Sequence, residues 1–565
     1  MRGPNRSSAS AHESDSRPDS ARRTSGTSPR DGSRARIAVG ALCIACCATV
    51  IGVRGVASQA SPFIPPNESI YADIDLLVSA GLIDRIAVGA RPYTQVEIGR
   101  LLAQARRNVE RRGASAEWAA PIIERDVARY VRKHARPIDF ASLELARLSS
   151  PDRPIPADPN GSIDAAINPL AAWRGGRTLA DGATVAIETM HGASLGRHVA
   201  VSVAPRVMLE TDRDRATAVG NLQAANAVLR FGNLVVELGR DYAEFGPAPG
   251  GGLILSTNAA ALDMVRFSMQ RPAALPSWFR RLGPVHAMVL IADLGTERQN
   301  HPHAKLVGYR MSIAPHRNFE FGVQVLDETG GRGAPGASFG DRVLDAIPPI
   351  DAWRTGSDFQ FSNKLAGVDA RWRMPDWAGL ELYLDGAIDD MDTRRFRSSL
   401  FEDGGVIGGA SVSCLIGCGR LRVRAEYHQT GIRYYTHTDF ASGLQSRGTI
   451  LGDPLGPRGL GGYLSLETGG QGQSQFALSG AYEVRSGNLY GSAGHGSHSA
   501  DFRFVQVEHR PAERRARMLA TWTSSRRGSR VATVVSAGVE RTTNFGFAGR
   551  DRTSALVRIA YEVWP

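Results

Sequence analysis

The sequence predicts a mainly β protein: a transmembrane antiparallel β-barrel with an α-helical region ahead of it. Three observations lead there. From about residue 180 to the end, segments of roughly ten residues alternate polar and apolar side chains, with Gly, Asn, Asp and Ser between them; they number about eighteen. Glycine is abundant, at 62 of 565 residues, which suits turn-rich β structure better than helix bundles. The last segment closes on Trp564 ahead of Pro565, the aromatic terminus that barrels present for insertion.

Taken in chain order, residues 1–36 are rich in Ser, Arg and Asp without periodicity and are expected to be disordered. The uncharged apolar run Ile37–Val53, then Arg54 and small residues up to Ser58 and Ala60, reads as a secretory signal cut after Ala60. The rival reading is an N-terminal membrane anchor, because the run is just long enough to span. Cys43, Cys46 and Cys47 leave with that leader, and none follows a good lipobox. Residues 1–60 carry nine arginines and four acids, so the net charge of +11 falls to +6 without them. That excess does not argue for nucleic acid, which an exported protein rarely meets. Lys133, Lys305 and Lys364 are the only lysines. An arginine bias follows from a GC-rich genome, but guanidinium groups also grip carboxylates and phosphates in bidentate fashion.

Residues 61–160 are expected to form a helical bundle and a linker. Glu68–Ile83 places Ile70, Ile74, Leu77 and Leu82 on one stripe, with Gly81 as a breaker. A second helix is expected after Pro92 and a third over EWAAPIIERDVARYVRKHA; a Pro-containing linker then ends near Ser162. The barrel is expected over residues 161–565. In HVAVSVAPRVMLE (198–210), Val199, Val201, Val203, Val207 and Leu209 share a face. KLAGVDARWRM (364–374) sets Asp369, Arg371 and Arg373 opposite Val368, Ala370 and Trp372. In GRLRVRAEYHQT (419–430), Arg420, Arg422, Arg424, Glu426 and His428 oppose Leu421, Val423, Ala425 and Tyr427. SRVATVVSAGVE and the terminal ALVRIAYEVWP repeat the pattern. A soluble sandwich or propeller also uses alternating strands. Strand length, and aromatics such as Trp372, Tyr427 and Tyr561 near the ends of the apolar faces, favour a barrel whose apolar side touches lipid.

Cys414 and Cys418, in SVSCLIGCGR, form a close pair that an exported protein most simply joins as a small disulfide clipping a loop or hairpin. A metal site there would need further ligands, and none is evident nearby.

The most distinctive stretch is GRDYAEFGPAPGGGLILSTNAAALDMV (239–265). Its glycines could cradle phosphate, but no helix with a Lys-Ser/Thr start follows, so a structured loop folded within or over a barrel is the better reading. The stretch resembles the signature of the Wzi capsule-assembly family: Gly-Arg, then Trp-Gly-Pro, then an apolar run into Ser-x-Asn-Ala. Here these are Gly239-Arg240, Phe245-Gly246-Pro247 and Leu253 to Ala259, with Ser256, Asn258 and Ala259 in place; Phe245 replaces the usual Trp. KLVGYRMSIAPHRNFEFGVQV (305–325), with Arg310, resembles the family's Gly-x-Arg strand and its return strand. Gly367, Asp369, Arg371, Tyr383 and Asp389–Asp390 resemble its next hairpin, and DLLVSAGLI with the later Pro-Tyr-Thr resembles its helical region. The resemblance implies an outer-membrane barrel of about eighteen strands, a helical plug on the periplasmic side, and a role in holding capsular polysaccharide at the surface.

Enzyme signals are weaker. GASLG (Gly192–Gly196) matches G-x-S-x-G but lies between two alternating strands, where a hairpin tip fits better than a strand-to-helix elbow around Ser194. His301 and His303 lack ligand companions, and Gly494–His498 reads as a loop. Asp389, Asp390 and Asp392 read as an acidic surface loop before they read as a Ca²⁺ cluster. No catalytic residue, metal or cofactor is expected. The arginine rows have a structural reading, pairing Arg371 with Asp369 and Arg424 with Glu426, and a functional one, in which arginines and aromatics bind acidic sugars.

The expectation is therefore a non-enzymatic barrel in the outer membrane that binds, anchors or organises exported capsular polysaccharide or exopolysaccharide. The alternative is an anion-preferring pore. Candidate binding or motif residues are Arg240, Phe245, Gly246, Pro247, Ser256, Asn258, Arg310, Asp369, Arg371, Tyr383, Asp389, Arg422 and Arg424. Expected partners are an acidic polysaccharide, outer-membrane lipids and lipopolysaccharide, and the barrel-assembly machinery.

Overall fold

In the computed structural model, Arg422 and Arg424 turn inward while Tyr427, on the other face of the same strand, is 43 % exposed. That division repeats around a closed antiparallel barrel of 18 strands. The structure describes residues 59–564 except 85, 132–137, 151–154, 157–162, 164, 168–169, 171–174, 177–180, 213–214, 250, 276, 339, 343–361, 390–399, 469–473, 494–502 and 526–528. Residues 1–58, which hold most of the expected leader, and Asp390, Asp392 and Gly494–His498 lie outside the described residues.

The strands are β1 (Ile138–Ser149), β2 (Gly182–Leu195), β3 (Val199–Asp212), β4 (Arg215–Phe231), β5 (Leu234–Asp241) and β6 (Leu262–Met269). They continue through β7 (Pro284–Asp293), β8 (Lys305–His316), β9 (Phe319–Thr329), β10 (Ser362–Met374), β11 (Leu380–Asp389) and β12 (Gly404–Val412). The last six are β13 (Leu421–Thr430), β14 (Gly459–Thr468), β15 (Ser474–Arg485), β16 (Glu513–Ser525), β17 (Val531–Thr543) and β18 (Arg552–Val563). Each pairs with its neighbours in sequence, and β1 closes the ring by pairing with both β2 and β18. One rim carries short turns such as 196–198, 232–233 and 317–318; the other carries long connections such as 242–261 and 431–458. This asymmetry is that of membrane barrels.

The barrel thus begins at Ile138, inside the segment expected to be a linker, and the boundary at residue 161 is corrected. Leu143 and Leu145 face outward at 40 % and 44 % exposure. Pro137 and Pro151, one beyond each end of this strand, disguise it in the sequence.

Apolar side chains of the outer face form a continuous belt. Val207, Leu384 and Val557 are 57 %, 53 % and 55 % exposed, and Trp372 and Tyr561 join them. A soluble monomer rarely shows an apolar patch beyond a few hundred Å², and leaving this one in water would forfeit about 25 cal/mol per Å². Lipid is the solvent that fits, so the strands are the crossing elements. Among the described residues no helix is long and apolar enough to do so. Trp564 is not part of the belt. It is 7 % exposed, beneath the Arg129 guanidinium at 4.5 Å.

The three expected helices are present as α1 (Ile70–Ser79), α2 (Gln95–Arg112) and α3 (Ala120–Tyr130). Ile70, Ile74, Leu77 and Leu82 are buried together with Ile98, Leu101, Leu102 and Ile123. Gly81 turns the chain out of α1 at φ 69°. The Thr94 hydroxyl accepts from the Glu97 N–H at 3.2 Å and caps α2.

The turn between β12 and β13 holds a Cys414–Cys418 disulfide. It closes a ring only four residues apart in sequence, which limits its loop-closure contribution to about 2 kcal/mol. Replacing both by Ser is expected to lower the unfolding midpoint slightly and leave assembly intact, as read by the heat-dependent gel mobility of the folded barrel.

Candidate functional site

An 18-strand barrel is wide enough to leave a channel, so what fills this lumen decides what the molecule can do. Three layers fill it.

At the short-turn end sits the helical bundle. Its segment 88–91 reaches into the lumen, where the Val88 N–H donates to Glu320 at 3.1 Å. Arg91 donates to both oxygens of Asp75 at 2.7 and 2.8 Å, and Arg371 of the wall lies 3.8 Å from the same carboxylate. Burial alone would raise Asp75, but these guanidinium groups outweigh it and hold the carboxyl below its usual range. Asp126 on α3 goes the other way, raised by burial and by the nearby Asp73 charge.

At the long-loop end the 242–261 segment folds inward, as its Gly-Pro run into an apolar stretch suggests. Phe245, Leu253, Ile254 and Leu255 pack with the inward side chains Leu290, Leu306, Leu326 and Leu365, and with Tyr434, Tyr435, Ile450 and Leu451 of the 431–458 loop. The descending loop meets the rising helical segment in a two-residue antiparallel ladder, Ala90 to Phe245 and Arg91 to Glu244. The Gly246 N–H donates to the Gly89 carbonyl at 3.0 Å. The two stoppers therefore touch inside the barrel. A Cβ on Gly252 would lie 1.8 Å from the Phe245 carbonyl oxygen, so the tight turn requires glycine there.

Between these layers lies a belt of charge. Arg310 donates to Asp369 at 2.7 and 3.0 Å and to Gln324 at 3.2 Å. It reaches across β9 because residue 322 is glycine: a Cβ there would sit 2.4 Å from an Asp369 oxygen. Gln324 donates in turn to Asp385 at 2.7 Å, whose other oxygen takes the Leu253 N–H at 3.0 Å. Arg371 pairs with Glu381, and Arg266 with Glu237.

Most sequence-derived candidates fall within or beside this filling; Arg240 lies on the opposite face of its strand from the inward Glu237 and Asp241. Arg240 holds Asp263 through two contacts of 2.7 Å near the long-loop rim. Phe245 is fully buried, so its ring offers no face to a ligand. Gly246 and Pro247 are buried at the loop's turn. The Ser256 hydroxyl donates to Gly452 at 2.6 Å, and the Asn258 amide to Ile450 at 2.9 Å, so both tie the two long loops together. The Tyr383 hydroxyl donates to Glu426, and Asp389 accepts from the Tyr435 N–H at 3.0 Å. Arg422 and Arg424 lie 3.5 and 4.0 Å from Glu467. The expected pairs Arg371–Asp369 and Arg424–Glu426 do not form. Each guanidinium reaches diagonally across the ladder instead, Arg371 to Glu381 beside its register partner Tyr383 and Arg424 to Glu467 beside its register partner Ser465.

Ser194 ends β2 and donates to the Ala60 carbonyl at 2.8 Å, as a hairpin end rather than an elbow. His301 contacts the Asp439 carbonyl at 2.9 Å, and His303 contacts Asp293 at 3.1 Å. Among the described residues no cluster of His, Cys, Asp or Glu could hold a metal.

Sequence reasoning missed an arginine–aromatic group at the long-loop end. Arg433 covers the Phe504 ring at 4.5 Å, and Arg458 lies 5.7 Å from Tyr490. Tyr490 and Phe504 stand on a hairpin pairing 489–493 with 503–508. Its only signal in the sequence is a short alternation.

A family model, "Capsule assembly protein Wzi", matches residues 165–554. An uncharacterised 55.8 kDa protein of the cps region in Klebsiella pneumoniae is 30% identical over 162 residues, which are 28% of this chain and 31% of that one. The chain thus aligns with about a third of the length of this curated relative. The solved structure of Escherichia coli Wzi superposes with a TM-score of 0.62 at 18% identity, covering 89% of this chain and 99% of that one. That protein is described as an outer membrane protein involved in group 1 capsule assembly and a carbohydrate-binding β-barrel. The motif 239–259 whose side chains close the lumen, the 18-strand barrel and the family match over most of the chain agree: this chain belongs to the Wzi capsule assembly family.

Proposed function

We propose that this chain is a non-enzymatic outer-membrane barrel that binds exported capsular polysaccharide or exopolysaccharide at its long-loop rim and keeps it on the cell. The carrying observation is the filled lumen. With both mouths stopped by packed polypeptide, the barrel offers a polymer a platform and not a conduit, so binding falls to the exposed loops. Family membership and the carbohydrate binding described for the Escherichia coli protein support the same reading. Arginine beside aromatic rings, as at Arg433–Phe504 and Arg458–Tyr490, suits a glycan carrying carboxylates, which guanidinium groups grip while rings stack on sugar faces. A solute pore of porin width is at odds with the packed lumen.

Deleting the gene is expected to move polysaccharide from the cell-bound to the shed fraction with total synthesis unchanged; an unaltered distribution ends the proposal. Replacing Tyr490 and Phe504 by Ala is expected to weaken binding to the host's purified polysaccharide. A stacking contribution of about 0.5–1.5 kcal/mol per ring corresponds to roughly two- to tenfold per substitution.

A further inference from the structure

A cation on the lipid-facing side of a barrel strand needs a counter-charge, and the two flanks of this barrel differ in where it comes from. On β5–β10, at the long-loop rim, it comes from the chain. In the strand ladder Arg240 stands opposite Asp263, Lys305 opposite Asp293 and Lys364 opposite Asp327. Arg240 and Lys305 close their pairs at 2.7 and 2.5 Å. Arg447 and His303 approach the same two acids at 3.7 and 3.1 Å.

On the other flank this pairing stops. The outward column of each of three strands runs through apolar side chains and ends, at the same rim, on an exposed arginine. On β16 the order is Trp522, Met518, Arg514; on β17 it is Val535, Val539, Arg541; on β1 it is Leu143, Leu145, Arg147. The three lie within two residues of the rim ends of their strands at Glu513, Thr543 and Ser149. The ladder sets Arg514 between Val484 and Thr543, Arg541 between Ala516 and Thr553, and Arg147 between Ala183 and Val557. None of these neighbours is an acid.

Two acids stand close by. Asp551, just ahead of β18, pairs with Arg541 at 2.7 Å, but the two side chains are 58 % and 44 % exposed, where such a pair contributes little. Asp181, just ahead of β2, accepts the Ser150 N–H at 2.9 Å. Arg147 and Arg514 have no hydrogen-bond or ion-pair partner among the described residues.

Depth decides what can supply the missing charge. An arginine facing hydrocarbon is strongly unfavourable at the bilayer mid-plane and nearly neutral at the headgroups. Tyr482, half exposed and opposite Ala516, stands one outward position below Arg514, as an interfacial aromatic does. The long loops mark this rim as the extracellular one, so the headgroups beside it are those of the outer leaflet. Phosphate esters there suit guanidinium groups, which take two phosphate oxygens at once.

We propose that the outward rim of β16, β17 and β1 is a binding surface for lipopolysaccharide, with Arg514, Arg541 and Arg147 holding the phosphates of its lipid headgroup. The contact ties one flank of the barrel to the outer leaflet. It stands apart from the glycan reading, because it is made to phosphate on lipid and not to exported polymer.

Native mass spectrometry of the full-length protein in detergent, titrated with three probes, tests this. The probes are diphosphoryl lipid A, the same lipid stripped of its phosphates, and phosphatidylglycerol. Diphosphoryl lipid A is expected to bind at least about tenfold more tightly than either of the others. Arg147→Gln with Arg514→Gln and Arg541→Gln, in barrels that keep their heat-dependent mobility, is expected to weaken that binding roughly tenfold to hundredfold. Lys305→Gln with Lys364→Gln, on the paired flank, is expected to leave it unchanged. Phosphate-free lipid bound as tightly overturns the proposal without recourse to any variant. So does phosphatidylglycerol bound as tightly, which means that any anionic headgroup suffices, and so does an equal loss from the lysine substitutions, which places the lipid elsewhere. None of the probes carries capsular polymer, so failure here is separate from failure of the proposed function.

Discussion

Removing both stoppers, the loop 247–258 and the helical region 63–130, is expected to convert this barrel into a porin-like conductor, whereas removing either alone yields only a small increment. The two lie in series, so the surviving one limits current. The helical segment meets the loop through the 89–91 and 244–246 ladder. The loop is otherwise held by the wall at Asp385 and by Ser256 and Asn258 against the neighbouring loop. Neither stopper is a barrel strand, so the ring of paired strands survives both deletions. Asp385, which loses the Leu253 N–H, then faces water in the opened lumen and not an apolar core. Planar-bilayer conductance of the four proteins checks this: a double deletion that conducts no more than either single one means that the charged belt alone closes the barrel.

The barrel itself was legible because lipid on one side and packed polar groups on the other impose a period of two. The alternation in 419–430 alone separates Tyr427 from the arginines. The helices were legible from the stripe of Ile70, Ile74 and Leu77, and the disulfide from its spacing. What the sequence hides is register and reach. Nothing local to Arg371 says that Glu381 on the next strand, and not Asp369 beside it, takes its charge. Nothing local to Phe245 says that its ring ends buried against the helical segment, where it closes the lumen instead of stacking on sugar. The apolar run Leu253–Leu255 was the available clue, since a loop exposed to solvent gains nothing from three consecutive aliphatic side chains. Strand β1 was missed because its flanking prolines look like linker, and Tyr490 and Phe504 because a short hairpin above a barrel carries the same alternation as the barrel below it.

Arg310→Met is expected to be the most damaging single substitution in the lumen. Its guanidinium is fully buried, holds both oxygens of Asp369 and contacts Gln324 on the way. Truncating it leaves a carboxylate 2 % exposed with no cation in its place, and breaking a buried pair in this way costs about 3–5 kcal/mol. Replacing both partners, Arg310→Met with Asp369→Leu, is expected to recover most of that loss, because a buried ion pair exchanged for apolar side chains of similar volume is often neutral. Arg422→Met supplies the contrast. Its partner Glu467 is a third exposed and keeps water, so the cost there is expected to stay below about 1 kcal/mol. Equilibrium unfolding in urea, with protein folded into lipid vesicles and followed by gel mobility, ranks the three. If Arg422→Met proves as costly as Arg310→Met, the partial exposure of Glu467 does not relieve the loss of its partner, and burial is not what separates the two sites.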